Sequence, residues 1–199
     1  TSIIKKEPDQ AMIRLGVEEE DKNAEEALNK TAKKITSIIA SLKPHLGQGS
    51  VSTETISLSP IYEPADPKTG KPALTIGYRA TSTLNIKTAD LNLTGRLIDI
   101  SSKAGANTID SLTFTLQDDG QAKEEALTLA AQNAIGSAKT LATAAGIRLK
   151  RLLSIQEDSG RFPTPYKTAY MARSAESSFP IEPGDVEIQA HVSLVYEIE

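Results

Sequence analysis

In QAKEEALTLAAQNAIGSAKTLATAAG, residues 121–146, alanine recurs at every fourth position: Ala122, Ala126, Ala130, Ala134, Ala138 and Ala142. Four-residue spacing stacks side chains on one face of a helix, one turn above another. Leu127, Ile135, Leu141 and Ala145 are expected to widen that apolar stripe. A ridge of methyl groups lets a helix approach its support more closely than a ridge of leucines would. Asp118 and Asp119 stand where side-chain oxygens cap free N–H groups and where negative charge suits the helix dipole. Gly146 is a natural left-handed residue for the exit. The pattern predicts a core helix lying on strands.

Upstream, residues 1–6 are β-prone at Ile3 and Ile4. Ala11, Ile13, Leu15 and Val17 then alternate with polar or small neighbours, the period of a half-buried strand. The period changes over residues 21–42, where Ala24, Ala27, Leu28, Thr31, Ile35, Ile38, Ile39 and Leu42 share a helical face. Asn23 followed by Glu26 has the spacing of a capping box, and Pro44 and Gly47 end the helix. Residues 51–62 read as a strand with Ile56, Leu58 and Tyr62 in phase. Residues 63–73 form a loop by composition. Residues 74–87 form another strand, with Leu74, Ile76, Tyr78, Ala80, Leu84 and Ile86 on one side. The two strands predict a long antiparallel hairpin. Thr88 is expected to cap a second helix through Leu93, Leu97, Ile100 and Ala104, closed by Gly105.

Residues 108–117 make a strand with a phase slip between Ile109 and Leu112. After the alanine helix, residues 147–156 make another, with Ile147, Leu149, Leu153 and Ile155 in register. Residues 158–182 are irregular. Residues 185–198 end the chain in unbroken alternation from Val186 to Ile198. The fold class expected is α+β, with mainly antiparallel sheets and helices packed on one face. The order is β-α-β-β-α-β-α-β-β, of which the first six elements match a ferredoxin-like split βαβ. The 199 residues suit one domain, with lobes at 1–117 and 118–199 as the natural division.

The composition removes several functions. With 22 Lys and Arg against 26 Asp and Glu, the net charge of −4 argues against a general nucleic-acid binder. The chain has no cysteine, so thiol catalysis, disulfides and thiolate metal sites are all excluded. No apolar run approaches the roughly 18 residues that span a bilayer. The chain begins at Thr1 without methionine, as after removal of a leader or trimming.

Candidate chemistry is sparse. His45 sits in a helix-ending loop and His191 on the polar face of the last strand, neither with a partner at metal spacing. Acidic pairs at Glu18 to Asp21, Glu25-Glu26, Asp118-Asp119, Glu124-Glu125 and Glu157-Asp158 mostly mark helix starts. A hydrolase would need two of them assembled by the fold. No phosphate loop, dinucleotide fingerprint or nucleophile elbow is present. No catalytic residue, metal ligand or cofactor is therefore assigned. Arg148, Lys150 and Arg151 form a basic cluster able to meet an acidic partner, or a charged strand edge that resists aggregation. Phe162, Tyr166, Tyr170 and Phe179 are four of the eight aromatics, gathered in the irregular segment. Aromatics are favoured at interfaces, so these four are the candidate subunit or partner contact.

Several segments coincide with a known family. They are Pro8-Asp9-Gln10-Ala11 leading to Gly16-Val17-Glu18, the run Ser57-Leu58-Ser59-Pro60-Ile61-Tyr62, and Gly77-Tyr78-Arg79-Ala80. Ala104-Gly105-Ala106, Ala145-Gly146-Ile147 and Pro180-Ile181-Glu182-Pro183-Gly184 follow. In order and spacing the set resembles the SIMPL domain family, catalogued as a domain of unknown function, over nearly the whole chain. The helix exit at residues 43–49 departs from the usual Gly-Ile step. The resemblance implies an exported, periplasmic or cell-envelope protein, since bacterial members include periplasmic immunogenic and oxidative-stress-defence proteins. It implies ring or channel-like homo-oligomers, and no catalytic residues to carry over. An animal member is named for association with a signalling kinase, so a protein-binding adaptor is the alternative. The expectation is a non-enzymatic protein acting through self-assembly and protein contacts.

Overall fold

A computed structural model describes residues 1–64, 72–157 and 181–199. Its strands and helices in chain order are β1 (Ser2–Lys6), β2 (Gln10–Asp21), α1 (Ala24–Leu42), β3 (Ser50–Glu63), β4 (Leu74–Thr88), α2 (Thr94–Lys103), β5 (Thr108–Thr115), α3 (Gly120–Ala145), β6 (Leu149–Glu157), β7 (Val186–Ala190) and β8 (Val192–Ile198). This is the expected α+β order with one short strand in front and the last strand divided. The described residues form two compact units: residues 9–114 with 181–183, and residues 1–8, 115–157 and 184–199.

The first unit carries a four-stranded sheet in the order β3-β4-β2-β5, the ferredoxin-like arrangement. Strand β4 runs antiparallel to both β2 and β3, with Ile13 opposite Ile86 and Leu15 opposite Leu84. These side chains, with Val17, meet Ile35, Ile38 and Leu42 of α1 and Leu97 and Ile98 of α2 in one core. Burying a side chain of this size contributes about 1.5–3 kcal/mol. Both helices therefore cover the same face. Thr31 in α1 donates its hydroxyl to Ala27 O (3.0 Å) and reaches Ala80 O of β4 at 3.3 Å, a contact available only where helix and sheet approach closely. Asn23 caps α1, accepting from Glu25 N–H at 2.8 Å. A 3-10 turn, Lys43–His45, with Pro44 inside it, closes the helix.

Helix α2 starts differently from the expectation. Asp90, not Thr88, caps a 3-10 turn, Leu91–Leu93, by accepting from Asn92 N–H at 3.0 Å. Thr88 Oγ1 instead accepts from Asp90 N–H at 3.1 Å, holding the capping residue in place. Gly105 closes the helix at φ 115°.

In the second unit β1 pairs with β7, and β6 with β8, all antiparallel. Ala122, Ala126 and Ala130 of α3 pack on Ile4, Val186, Ile188, Ala190 and Val192. The helix backbone comes near enough for the Ser2 hydroxyl to donate to Ala126 O. The methyl ridge thus does what its spacing predicts over its first half, and Ala142 near its end is buried too. Gly146 ends α3 in the left-handed region at φ 69°. Asp118 accepts from Gly120 N–H at 2.9 Å. Asp119 makes no side-chain cap and is instead paired with Lys123 at 2.7 Å.

Three expectations are corrected. Ile135, Leu141 and Ala145 do not join the buried stripe; Leu141 is 69 % exposed. The last strand breaks at His191, because β7 and β8 pair with different partners although Val186, Ile188, Ala190 and Val192 keep one buried face. Strand β6 begins at Leu149, and Leu153 and Ile155 face solvent.

Candidate functional site

The acidic run of β2 is occupied by cations from neighbouring elements. Arg79 in β4 reaches Glu20 at 2.6 Å and Glu18 at 3.2 Å. From α1, Lys34 pairs with Glu19, and Lys30 with Asp21 at 2.6 Å. Successive residues of a strand point to opposite faces, so one run serves the helix side and the open side alternately. The Lys30 hydrogen bond, then the Asn23 N–H, hold Asp21 below the usual carboxylate range, and the same bond raises Lys30. The Glu20 bond, followed by the charge of Glu18, raises Arg79. Of the other acidic pairs, Glu125 bonds Lys6 at 2.7 Å. These carboxylates are structural ion pairs. Among the described residues, no group of three His, Asp or Glu is placed to hold a metal ion.

His191 is exposed at the β7–β8 break, with Nδ1 2.6 Å from Thr1 Oγ1. His45 is half-buried in its 3-10 turn. The basic cluster is split by its strand. Arg148 exchanges both backbone hydrogen bonds with Glu199 at 2.9 Å. Arg151 pairs with Glu197 at 2.7 Å. Lys150 is exposed and has no ion pair among the described residues. The aromatic contact assigned from sequence, Phe162, Tyr166, Tyr170 and Phe179, lies outside the described residues.

What the structure adds is a set of exposed apolar side chains that no helix among the described residues covers. Strand β2 ends opposite Tyr78, so residues 74–77 of β4 pair with β3 alone. On this ribbon Tyr62 is 59 % exposed and Leu74 and Ile76 are exposed as well, and farther back along β3, opposite Ser82 and Ala80, so are Ile56 at 68 % and Leu58. In the two-stranded β6–β8 sheet, Leu152, Leu153, Ile155, Val195 and Ile198 face solvent. Strand phase marks these residues as sharing faces, but phase carries no information about what lies over a face. The unusual hairpin length was the one signal in the sequence. Contiguous exposed apolar surface of this kind marks interaction sites.

The SIMPL family, described as proteins of unknown function (DUF541), matches residues 1–196. The 26 kDa periplasmic immunogenic protein of Brucella melitensis is 31 % identical over 201 residues, covering 96 % of this chain and 80 % of that protein. The corresponding Brucella abortus protein is equally similar. The uncharacterized protein YggE of Escherichia coli K12 is 24 % identical over 196 residues, covering 96 % of this chain and 78 % of YggE. No helix among the described residues is long and apolar enough to cross a membrane.

Proposed function

This chain belongs to the SIMPL family, and from that premise we propose that it is an exported cell-envelope protein that works without catalysis, by assembling with copies of itself. The export part is supported by the Brucella relatives, whose names place them in the periplasm. The assembly part is carried by one observation: the apolar residues of the β3–β4 ribbon and the β6–β8 sheet lie open to water. Each such side chain gains about 1.5–3 kcal/mol on full burial, which favours any contact that covers them together. Carboxylates committed to ion pairs support a role in shaping the surface rather than in proton transfer. A stress-defence role would then be indirect, through contacts made by the assembly.

Size-exclusion chromatography with light scattering tests the assembly. The expected species is a multiple of 21.3 kDa; a strict monomer at high concentration overturns it. Fractionation of cells expressing the natural full-length protein tests the compartment, and recovery in the cytoplasm overturns export.

A further inference from the structure

Among the end strands of the described sheets, β3 and β6 differ in charge. Strand β3 is the end strand of its sheet. Its 14 residues carry Glu54 and Glu63 and no lysine or arginine. It therefore lacks the lysines that usually discourage edge pairing. Among the described residues strand β6 pairs on one side only, with β8, and it carries Lys150 and Arg151 against Glu157. Glu54 is answered within its own unit by Arg14 at 2.8 Å, and Arg151 by Glu197. Glu63 and Lys150 have no ion pair among the described residues.

Resting on the assembly reading above, we infer that β3 of one copy pairs with β6 of another. Two β3 edges side by side would add two unanswered glutamates, Glu63 of each copy, and two β6 edges two unanswered lysines, Lys150 of each. Pairing unlike edges cancels charge and satisfies main-chain donors and acceptors on both. The direction follows from spacing. Run antiparallel, with Glu63 facing Lys150, the strands place Ile61 opposite Leu152 and Leu58 opposite Ile155. Run parallel with the same ion pair, the apolar part of β6 would pass beyond the end of β3. Ile155 is 59 % exposed and Leu58 41 %, so the seam buries side chains that the single chain leaves wet. Pro60 offers no N–H at its own position, so the seam there rests on its carbonyl and on the flanking residues.

The absence of cysteine makes cross-linking selective. Three single variants of the full chain are prepared: Glu63→Cys, Lys150→Cys, and Ser37→Cys on the exposed face of α1 as a control. A short bis-maleimide is added to each variant alone and to mixtures, and the wild type is sized by light scattering in parallel. The expected result is a multimeric wild type together with a Glu63→Cys/Lys150→Cys dimer formed several-fold above either variant alone and above the Ser37→Cys/Lys150→Cys mixture. A multimer without that preference overturns this contact and leaves assembly standing. A monomeric wild type overturns both.

Discussion

Gly16 in β2 lies so close to Ser82 in β4 that a Cβ on it would meet the Ser82 carbonyl oxygen at 2.2 Å. The glycine sits opposite Thr83 in the ladder, at the centre of the sheet, and its own carbonyl accepts from Asn107 N–H at 3.0 Å. The obstacle is backbone, which cannot rotate aside. Gly16→Ala is therefore expected to destabilise the chain by about 1–3 kcal/mol, the range for forced overpacking. Urea unfolding measures it, and an unchanged midpoint would refute the close approach.

Asn107 continues the edge of β2 with its side chain. Its Oδ1 accepts from Glu18 N–H at 2.8 Å and its Nδ2 donates to Glu18 O at 2.7 Å. The amide thus imitates one more strand residue. Asn107→Ala removes both bonds at a cost of about 1–2 kcal/mol, taking ordinary net values per bond. Asn107→Asp keeps the acceptor and loses the donor, so it should fall between wild type and alanine in the same unfolding assay.

Glycine to alanine should have opposite signs inside α3 and at its C-terminal cap. Gly136 lies within α3, and a Cβ there meets nothing within 4 Å. Gly136→Ala should stabilise the chain by about 1 kcal/mol, the helix-propensity difference. Gly146 also has open space around it but holds φ 69°. Gly146→Ala should destabilise by about 1–2 kcal/mol, the cost of the left-handed region for a residue with a Cβ. Thermal melts of the two variants read the contrast directly.

The Asp21–Lys30 pair predicts a pH dependence. Asp21 is held below its ordinary 3.8. It favours the folded chain above the unfolded pKa, and that contribution is lost as pH falls through the folded value. Lys30 is raised above 10.5. It favours folding below that pH, and the contribution is lost as pH rises through the folded value. Asp21→Asn should therefore shrink the fall in Tm between about pH 5 and pH 2. The pair is solvent-exposed, so the difference from wild type should fade in about 1 M salt. A wild-type acid limb equal to that of the variant at low salt would sink this assignment.

Much of the fold was legible because its signals are local. Period two in β2 and β4, period 3.6 in α1 and the four-residue alanine ladder of α3 each follow from the direction a side chain must take. Asn23, Pro44, Gly105 and Gly146 punctuate these elements through backbone chemistry of their own. The acidic run of β2 was visible too, but its cations were not. Lys30, Lys34 and Arg79 come from other elements, and only folding brings them within reach of it.

The order of strands and helices, the apolar face of each and the lack of thiol chemistry thus belong to the chain read as a line of residues. Folding alone fixed which of those faces found cover. Alternation runs unbroken from Val186 to Ile198, yet β7 and β8 take different partners at His191. Ile56 and Leu84 obey the same period, yet one is 68 % exposed and the other fully buried. The reason is that periodicity records the turn of the backbone, whereas cover depends on which distant element arrives, and α1 and α2 pack over Leu84 but not over Ile56 on the end strand.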